Sequence, residues 1–190
     1  MSMINALKLR RSIYSLNKNL PVSEAEVKKL IEQVTELVPD AFNMKSARVV
    51  AVFGEQQNKL WDEIYNVFNG KVAREKIDSF KAAAGTVLYF IDNEVVKGLQ
   101  EKFAAYAANF PIWANQANGM LQFSIWSALR ELNIGANIQH YNPVIDNKVK
   151  ELFDVPESWS LTAQMPFGGI VKEPEAKEPE DISKRVKFFD

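Results

Sequence analysis

Apolar positions along the chain recur at helical spacing in some stretches and form short continuous runs in others, and the alternation predicts the elements. Ile4, Leu7 and Leu9 predict a short helix over residues 3–10. Ser23-Glu24-Ala25-Glu26 is a capping box, followed at helical spacing by Val27, Leu30, Ile31, Val34 and Leu37, with Pro39 as the stop. A loop over 40–46 leads into an apolar run at 48–54 that reads as a buried strand. Leu60, Trp61, Ile64, Tyr65 and Phe68 mark a helix ended near Asn69-Gly70, and residues 71–81 read as a further helical piece. Residues 85–91, rich in β-branched and aromatic side chains, are the clearest strand. Helical patterns cover 93–108, break at Pro111 and resume over 113–132, a stretch apolar on most faces and therefore expected to be buried. A strand at 134–139 is expected next, then an Asn142 N-cap with Pro143 at the first helical position of a helix over 144–153. Residues 159–165 read as a last strand, 166–169 as a turn and 170–190 as an extended tail. No repeat or linker divides the chain, so residues 1–190 are expected to form one α+β domain.

Composition narrows the chemistry. With 47% apolar and 25% charged residues in 190, the chain matches an ordinary globular protein. Its net charge of −1 gives no electrostatic footprint for general nucleic-acid binding. The absence of Cys excludes disulfides, thiolate catalysis, Fe–S clusters and Cys-ligated zinc, and a single His excludes a two-His metal site within one chain. No apolar run reaches the roughly 18 residues of a membrane span and no signal peptide is visible, so a cytoplasmic location away from membranes is expected. GxGxxG, GxxxxGK[ST] and GxSxG are all absent. Chemistry is left to a bound cofactor or to carboxylates, and the pairs Asp62/Glu63 and Glu180/Asp181 look like solvated charge.

Three clusters could carry function. Lys8, Arg10 and Arg11 precede Ser12, a set suited to phosphate; the competing reading is a solvated cationic helix end. Lys184, Arg185 and Lys187 lie near the other terminus, where 11 of the 19 residues from Lys172 to Asp190 are charged, Pro174 and Pro179 keep the chain extended, and Phe188 and Phe189 form an apolar tip expected to dock. Residues 135–143 contain the one imidazole, His140, between a predicted strand and a predicted helix N-terminus.

Taken in order, Arg10-Arg11-Ser12, the Ser-capped helix, Asn43-Met44-Lys45-Ser46-Ala47-Arg48-Val49-Val50, residues 135–143, and Met165-Pro166-Phe167-Gly168-Gly169 before a charged tail resemble the nitroreductase family over essentially the whole chain. Within it, the compact branch with the fatty-acid-repression-mutant-like proteins is the most similar. The resemblance implies an α+β fold with a mixed, largely antiparallel sheet flanked by helices on both faces, and a C-terminal tail extending the partner subunit's sheet. It implies a homodimer with flavin mononucleotide (FMN) at the interface. Arg10, Arg11 and Ser12 would hold the phosphate and ribityl side, and Asn43, with Ser46 and Arg48 as further candidates, would come from the other subunit. Gln139 and His140 would lie beside the ring's reactive nitrogen through a backbone amide, with Lys184 and Arg185 completing the phosphate site. Two departures stand out: Tyr14 occupies the family's usual Lys or Arg position near the pyrimidine edge, leaving Lys45 or Arg48 as substitute cations, and Pro39-Asp40-Ala41 replaces Pro-Ser-Ser.

The activity implied is reduction of nitroaromatics or quinones with NADH or NADPH by a ping-pong mechanism, the chemistry residing on the flavin rather than on a catalytic side chain. Phe110 and Trp113 could wall the substrate space or could be helix core. A flavin-binding redox sensor or store with little turnover, and a cofactor-free helical interaction module, remain as alternatives.

Overall fold

The computed structural model describes residues 3–178 and 180–189; Met1, Ser2, Pro179 and Asp190, including one of the tail's two prolines, lie outside the described residues. The elements are α1 (Met3–Leu9), β1 (Leu16–Asn17), α2 (Glu24–Leu37), β2 (Ala47–Phe53), α3 (Gly54–Phe68), α4 (Arg74–Lys81), β3 (Gly85–Asp92), α5 (Asn93–Lys102), α6 (Phe110–Glu131), β4 (Ile134–Ala136), α7 (Asp146–Phe153) and β5 (Trp159–Ile170). The strands pair antiparallel in the order β1-β5-β3-β2, with β4 also on β5, and one parallel bridge joins Ser12 to Ala136. This is the expected mixed, largely antiparallel sheet.

β3 is buried at every position because it lies mid-sheet with helices on both faces. Val87 and Tyr89 join Ala163, Met165 and Phe167 of β5 against α2 and α6, whose contributions include Val27, Ile31, Leu121, Ile125 and Leu129. Leu88 and Phe90 face the other way, into Leu60, Trp61 and Ile64 of α3, Ile77 and Phe80 of α4, and Val149 of α7. The β3–β5 register shifts between Tyr89 and Phe90, so that Ala163 opposes Tyr89 and Leu161 opposes Phe90. Thr162 is the extra residue. Its hydroxyl lies 3.0 Å from the Tyr89 carbonyl and 2.8 Å from Asn118 Oδ1, which satisfies the bulge. The bulge turns Leu161 to one core and Ala163 to the other.

The capping box forms as the sequence predicts: the Ser23 hydroxyl accepts from the Glu26 amide and the Glu26 side chain accepts from the Ser23 amide. Four expectations are corrected. Pro111 does not break a helix; it sits in the first turn of α6, where its missing N–H costs nothing. Asn142 is not an N-cap: the Asn142–Pro143 bond is cis and α7 begins only at Asp146, without a side-chain cap. The expected strand over 134–139 is shorter, since β4 stops at Ala136 and Gln139 returns to the sheet only through a bridge to Gln164. Residues 166–169 are not a turn. β5 runs straight through them, because Gly168 and Gly169 let the Asn17 and Asn19 carbonyls approach where a Cβ would stand.

α6 is also less enclosed than its composition suggests. Phe110, Ala114, Ala117, Leu121, Ile125 and Leu129 are buried, but Ile112 is 56% and Met120 44% exposed. The tail beyond β5 stays exposed, with Phe188 and Phe189 at 87% and 90%. Among the described residues no helix is long and apolar enough to cross a membrane.

Candidate functional site

Backbone pairing assembles the first half of the site. After α1 the chain runs beside β4: the Ile13 amide donates to the Ala136 carbonyl at 3.0 Å, and the Asn137 side-chain amide donates to the Ile13 carbonyl at 2.9 Å. These bonds bring Arg10, Arg11 and Ser12 alongside residues 135–140. The Arg10 guanidinium lies 4.1 Å from the Trp126 ring and 5.7 Å from that of Phe123, both on α6. Its Nε is buried without a hydrogen-bond partner. Desolvation by burial, and then the neighbouring Arg11 charge, lower the Arg10 pKa from its ordinary value, although a guanidinium remains protonated at any ordinary pH. A desolvated cation with an unpaired donor is electrostatically incomplete, and an anion completes it.

In the adjoining stretch, spent and free backbone amides alternate. The Gln139 amide donates to the Gln164 carbonyl at 2.7 Å and the Tyr141 amide to Gln164 Oε1 at 2.8 Å. Gln139 Nε2 is also occupied, donating to Asn137 Oδ1 at 2.7 Å. Between them, the His140 N–H has no partner among the described residues. Of the two positions read from the sequence, His140 therefore offers the available amide. Its imidazole is on an exposed residue. Tyr14 is 55% exposed.

The loop before β2 forms a separate half. Phe42, Asn43 and Lys45 have φ of 56°, 49° and 53°, three non-glycine residues in the left-handed region within four positions. Two clamps hold them there. Asp40 Oδ2 accepts from both the amide and the hydroxyl of fully buried Ser46 at 3.2 Å. Arg48 donates to the Lys45 carbonyl at 2.5 Å, to the Ala47 carbonyl at 3.1 Å and to Asp92 Oδ2 at 3.0 Å. Ser46 and Arg48 thus fix the loop with groups that a ligand would otherwise use, whereas Asn43 and Lys45 stay exposed. Phe42 stacks on Trp113 at 5.5 Å and 18° and contacts Phe103, Tyr106 and Phe110. Phe110 is fully buried and is core, while Phe42 and Tyr106 are each 49% exposed. Phe42 is the residue that sequence reasoning missed. An aromatic residue inside a polar loop was the available signal.

A groove of about 730 Å³ runs between α2 and β2, lined by Ile31, Val49, Phe53 and Leu121, with Asp40, Asn43 and Lys45 at one end. None of Arg10, Arg11, Ser12, Gln139 or His140 lines it, so the two halves do not share a cavity in one chain. Lys184 and Arg185 are exposed in the tail. Arg185 donates to Glu180 at 2.8 Å, and no hydrogen bond or ion pair links either residue to Arg10, Arg11 or Ser12 among the described residues. No group of His, Cys, Asp and Glu among the described residues could hold a metal ion.

Residues 7–169 match the model of the nitroreductase family. The chain is 34% identical over 177 residues to nitroreductase FRM2 of Saccharomyces cerevisiae, covering 92% of this chain and 91% of that protein. It is 42% identical to nitroreductase CinD of Lactococcus lactis over the full length of both chains, with a TM-score of 0.96 for the complex with nicotinic acid and 0.94 for that with 4-nitrophenol. A nitroreductase from Exiguobacterium sibiricum described as putative and solved in complex with FMN shares the fold at 14% identity, with a TM-score of 0.74 over 100% of this chain and 98% of that one.

Proposed function

The chain belongs to the nitroreductase family, an oxidoreductase family, and from that premise we propose that it is an FMN-dependent enzyme reducing nitroaromatics or quinones with NADH or NADPH. The observation that carries the reading is Arg10: a half-buried guanidinium stacked on Trp126, with an unpaired Nε, beside Arg11, Ser12 and a free His140 amide. That donor set fits FMN. Arg10, Arg11 and Ser12 would hold the phosphate, with Lys184 and Arg185 brought in by the tail, while the His140 N–H would donate to the ring. FMN, when bound, would supply the redox chemistry linking a reduced nicotinamide to the second substrate in a ping-pong cycle.

The chain's own residues bind, orient and exclude water. Arg10 loses less hydration on meeting a phosphate than a fully exposed arginine would, since burial has already removed part of it. Phe42, Tyr106 and Trp113 offer flat apolar surface to a planar aromatic substrate. Nitroreductase CinD has been solved with 4-nitrophenol and with chloramphenicol, which supports nitroaromatics as the class. Tyr14 replaces the usual cation at the pyrimidine edge, and exposed Lys45 is the candidate substitute; Arg48 is committed to Asp92 and the loop.

The reading includes a homodimer of one-domain chains in the cytoplasm, the tail from residue 171 extending the partner's sheet along the edge of β2 that β3 leaves free. An absorption spectrum of freshly purified protein tests it: a yellow protein releasing about one FMN per chain is expected. A colourless protein that refuses added FMN would overturn it. Rapid oxidation of NADH or NADPH with 4-nitrophenol favours the enzyme, whereas slow flavin reduction at saturating nicotinamide identifies a sensor or store.

A further inference from the structure

Gln164 is fully buried on β5 between Ala163 and Met165, opposite Leu88 of β3. An apolar side chain would fill that place without desolvating an amide, and a buried amide is tolerated where its groups are hydrogen-bonded. Four such bonds run from Gln164 to one segment, the one that carries His140. Its main chain exchanges bonds with Gln139, accepting from that amide at 2.7 Å and donating to that carbonyl at 3.0 Å. Its side chain accepts from the Tyr141 amide through Oε1 at 2.8 Å and donates to Asn142 Oδ1 through Nε2 at 3.2 Å.

These bonds fix a direction. Among the described residues Gln139 is the last of its segment to pair with β5 by main chain, and Gln164 Oε1 takes the place of the next ladder carbonyl. The amides of Asn137, Gln139 and Tyr141 are thereby drawn to β5, on the Pro166 carbonyl, the Gln164 carbonyl and the Gln164 side chain in turn. Successive N–H groups of an extended chain point to opposite edges. The His140 N–H is therefore turned away from β5, to the edge where the Ala136 carbonyl accepts from Ile13. Fully buried Asn137 ties that edge to the segment of the arginines: it accepts from Gln139 Nε2 at 2.7 Å and donates to the Ile13 carbonyl at 2.9 Å.

We propose that Gln164 is a positioning residue. It acts through His140 rather than on a ligand, its side chain holding residues 139–142 so that the His140 N–H stays unspent and faces residues 10–13. The proposal rests on the flavin reading for what that N–H meets, and not for the hold on the segment.

Amide exchange in the flavin-free wild-type protein tests the hold without any substitution. The Gln139 and Tyr141 amides should exchange slowly, and His140 between them fast. A Tyr141 amide as fast as His140 would overturn the proposal. Gln164→Met keeps the side-chain volume and the main-chain bridge but removes both side-chain bonds, so Tyr141 exchange should become about tenfold faster. The contact itself is read by following the His140 amide resonance as FMN is added. It should move in the wild type and move much less in Gln164→Met, with Kd for FMN about tenfold weaker. Gln164→Glu, whose carboxyl still accepts from the Tyr141 amide, should restore the shift. Gln57→Met removes an equally buried amide, one bonded to Thr86 and the Phe80 carbonyl, and should leave the shift intact. An undiminished His140 shift in Gln164→Met, or an equal loss in Gln57→Met, would reduce Gln164 to a packing residue. A wild-type protein that protects Tyr141 but binds no FMN would sink the flavin reading and leave the hold on the segment standing.

Discussion

The two ends of α6 hold the candidate site's two groups of residues by different means. At the Trp126 end the backbone is relaxed: Ser12 bridges to Ala136, Ile13 and Asn137 exchange ordinary hydrogen bonds with their neighbours, and the residual cost is electrostatic, an Arg10 Nε buried without a partner. At the Trp113 end Arg48 is paired with Asp92 and the cost is largely conformational, with three left-handed non-glycine residues held by Asp40 and Arg48, although Asp40 Oδ1 is itself buried without a partner. An unpaired charge is relieved by an anion. A strained backbone is relieved only by losing its clamps.

Substitutions can break this contrast, the largest effect being expected where the charge is incomplete. Replacing Arg10 and Arg11 by Ala should cost about 3 kcal/mol of FMN binding, roughly a hundredfold in Kd by equilibrium titration, from the loss of charge-assisted bonds. Urea unfolding of the flavin-free protein should show at most a small loss of stability, because the cation–π contact given up is offset by removal of a partly desolvated cation with an unpartnered Nε. A large loss of apo stability would mean that Arg10 is structural. At the strained end the order is reversed. Asp40→Ala strands the amide and hydroxyl of buried Ser46, and about 2–3 kcal/mol of folding stability should go with it. Arg48→Met, which loses its bonds to Lys45, Ala47 and Asp92, should cost about 1–2 kcal/mol. Both should alter Trp113 fluorescence through the stacked Phe42 ring; an unchanged spectrum would separate clamp from loop.

Two smaller effects lie outside both ends and sharpen the contrast. Ser23→Ala removes the α2 capping box and should cost about 1 kcal/mol while leaving FMN affinity unchanged. Asp146 has a buried Oδ1 without a partner, and burial raises its pKa above the ordinary carboxylate value, opposed in part by Lys150. A carboxyl with a raised folded-state pKa is at no disadvantage below its unfolded pKa, where both states are protonated, and weakens the fold as pH rises through the folded value. Asp146→Asn should therefore raise the melting temperature slightly at pH 7, with the difference vanishing in acid. An equal gain at pH 3 would contradict that origin.

Several elements were legible because their causes are local. The Ser23–Glu26 capping box, the apolar run that became β3 and the ordered set of Arg10-Arg11-Ser12, Asn43 and residues 135–143 each rest on neighbours a few positions apart. Residues 166–169 were misread as a turn because a Pro and two glycines are a turn signature locally, and only the arrival of Asn17 and Asn19 from the far end of the chain makes them strand. The bulge at Thr162 escaped for the same reason: its partners are Tyr89 and Asn118. Ser46 and Arg48 carry suitable chemistry in the sequence, yet their donors are occupied by Asp40 and Asp92.

By itself the sequence determined the chemistry of this protein: no thiol, one imidazole, arginines beside a serine, and periodicities that fix the type of nearly every element, because side-chain identity and short-range spacing need no knowledge of the fold. The tertiary structure decided which donors are spent and which remain free, and that the two groups of candidate residues stand at opposite ends of α6. Those properties depend on contacts between residues far apart in sequence, where the energy of each pairing exists only once the chain has closed around it.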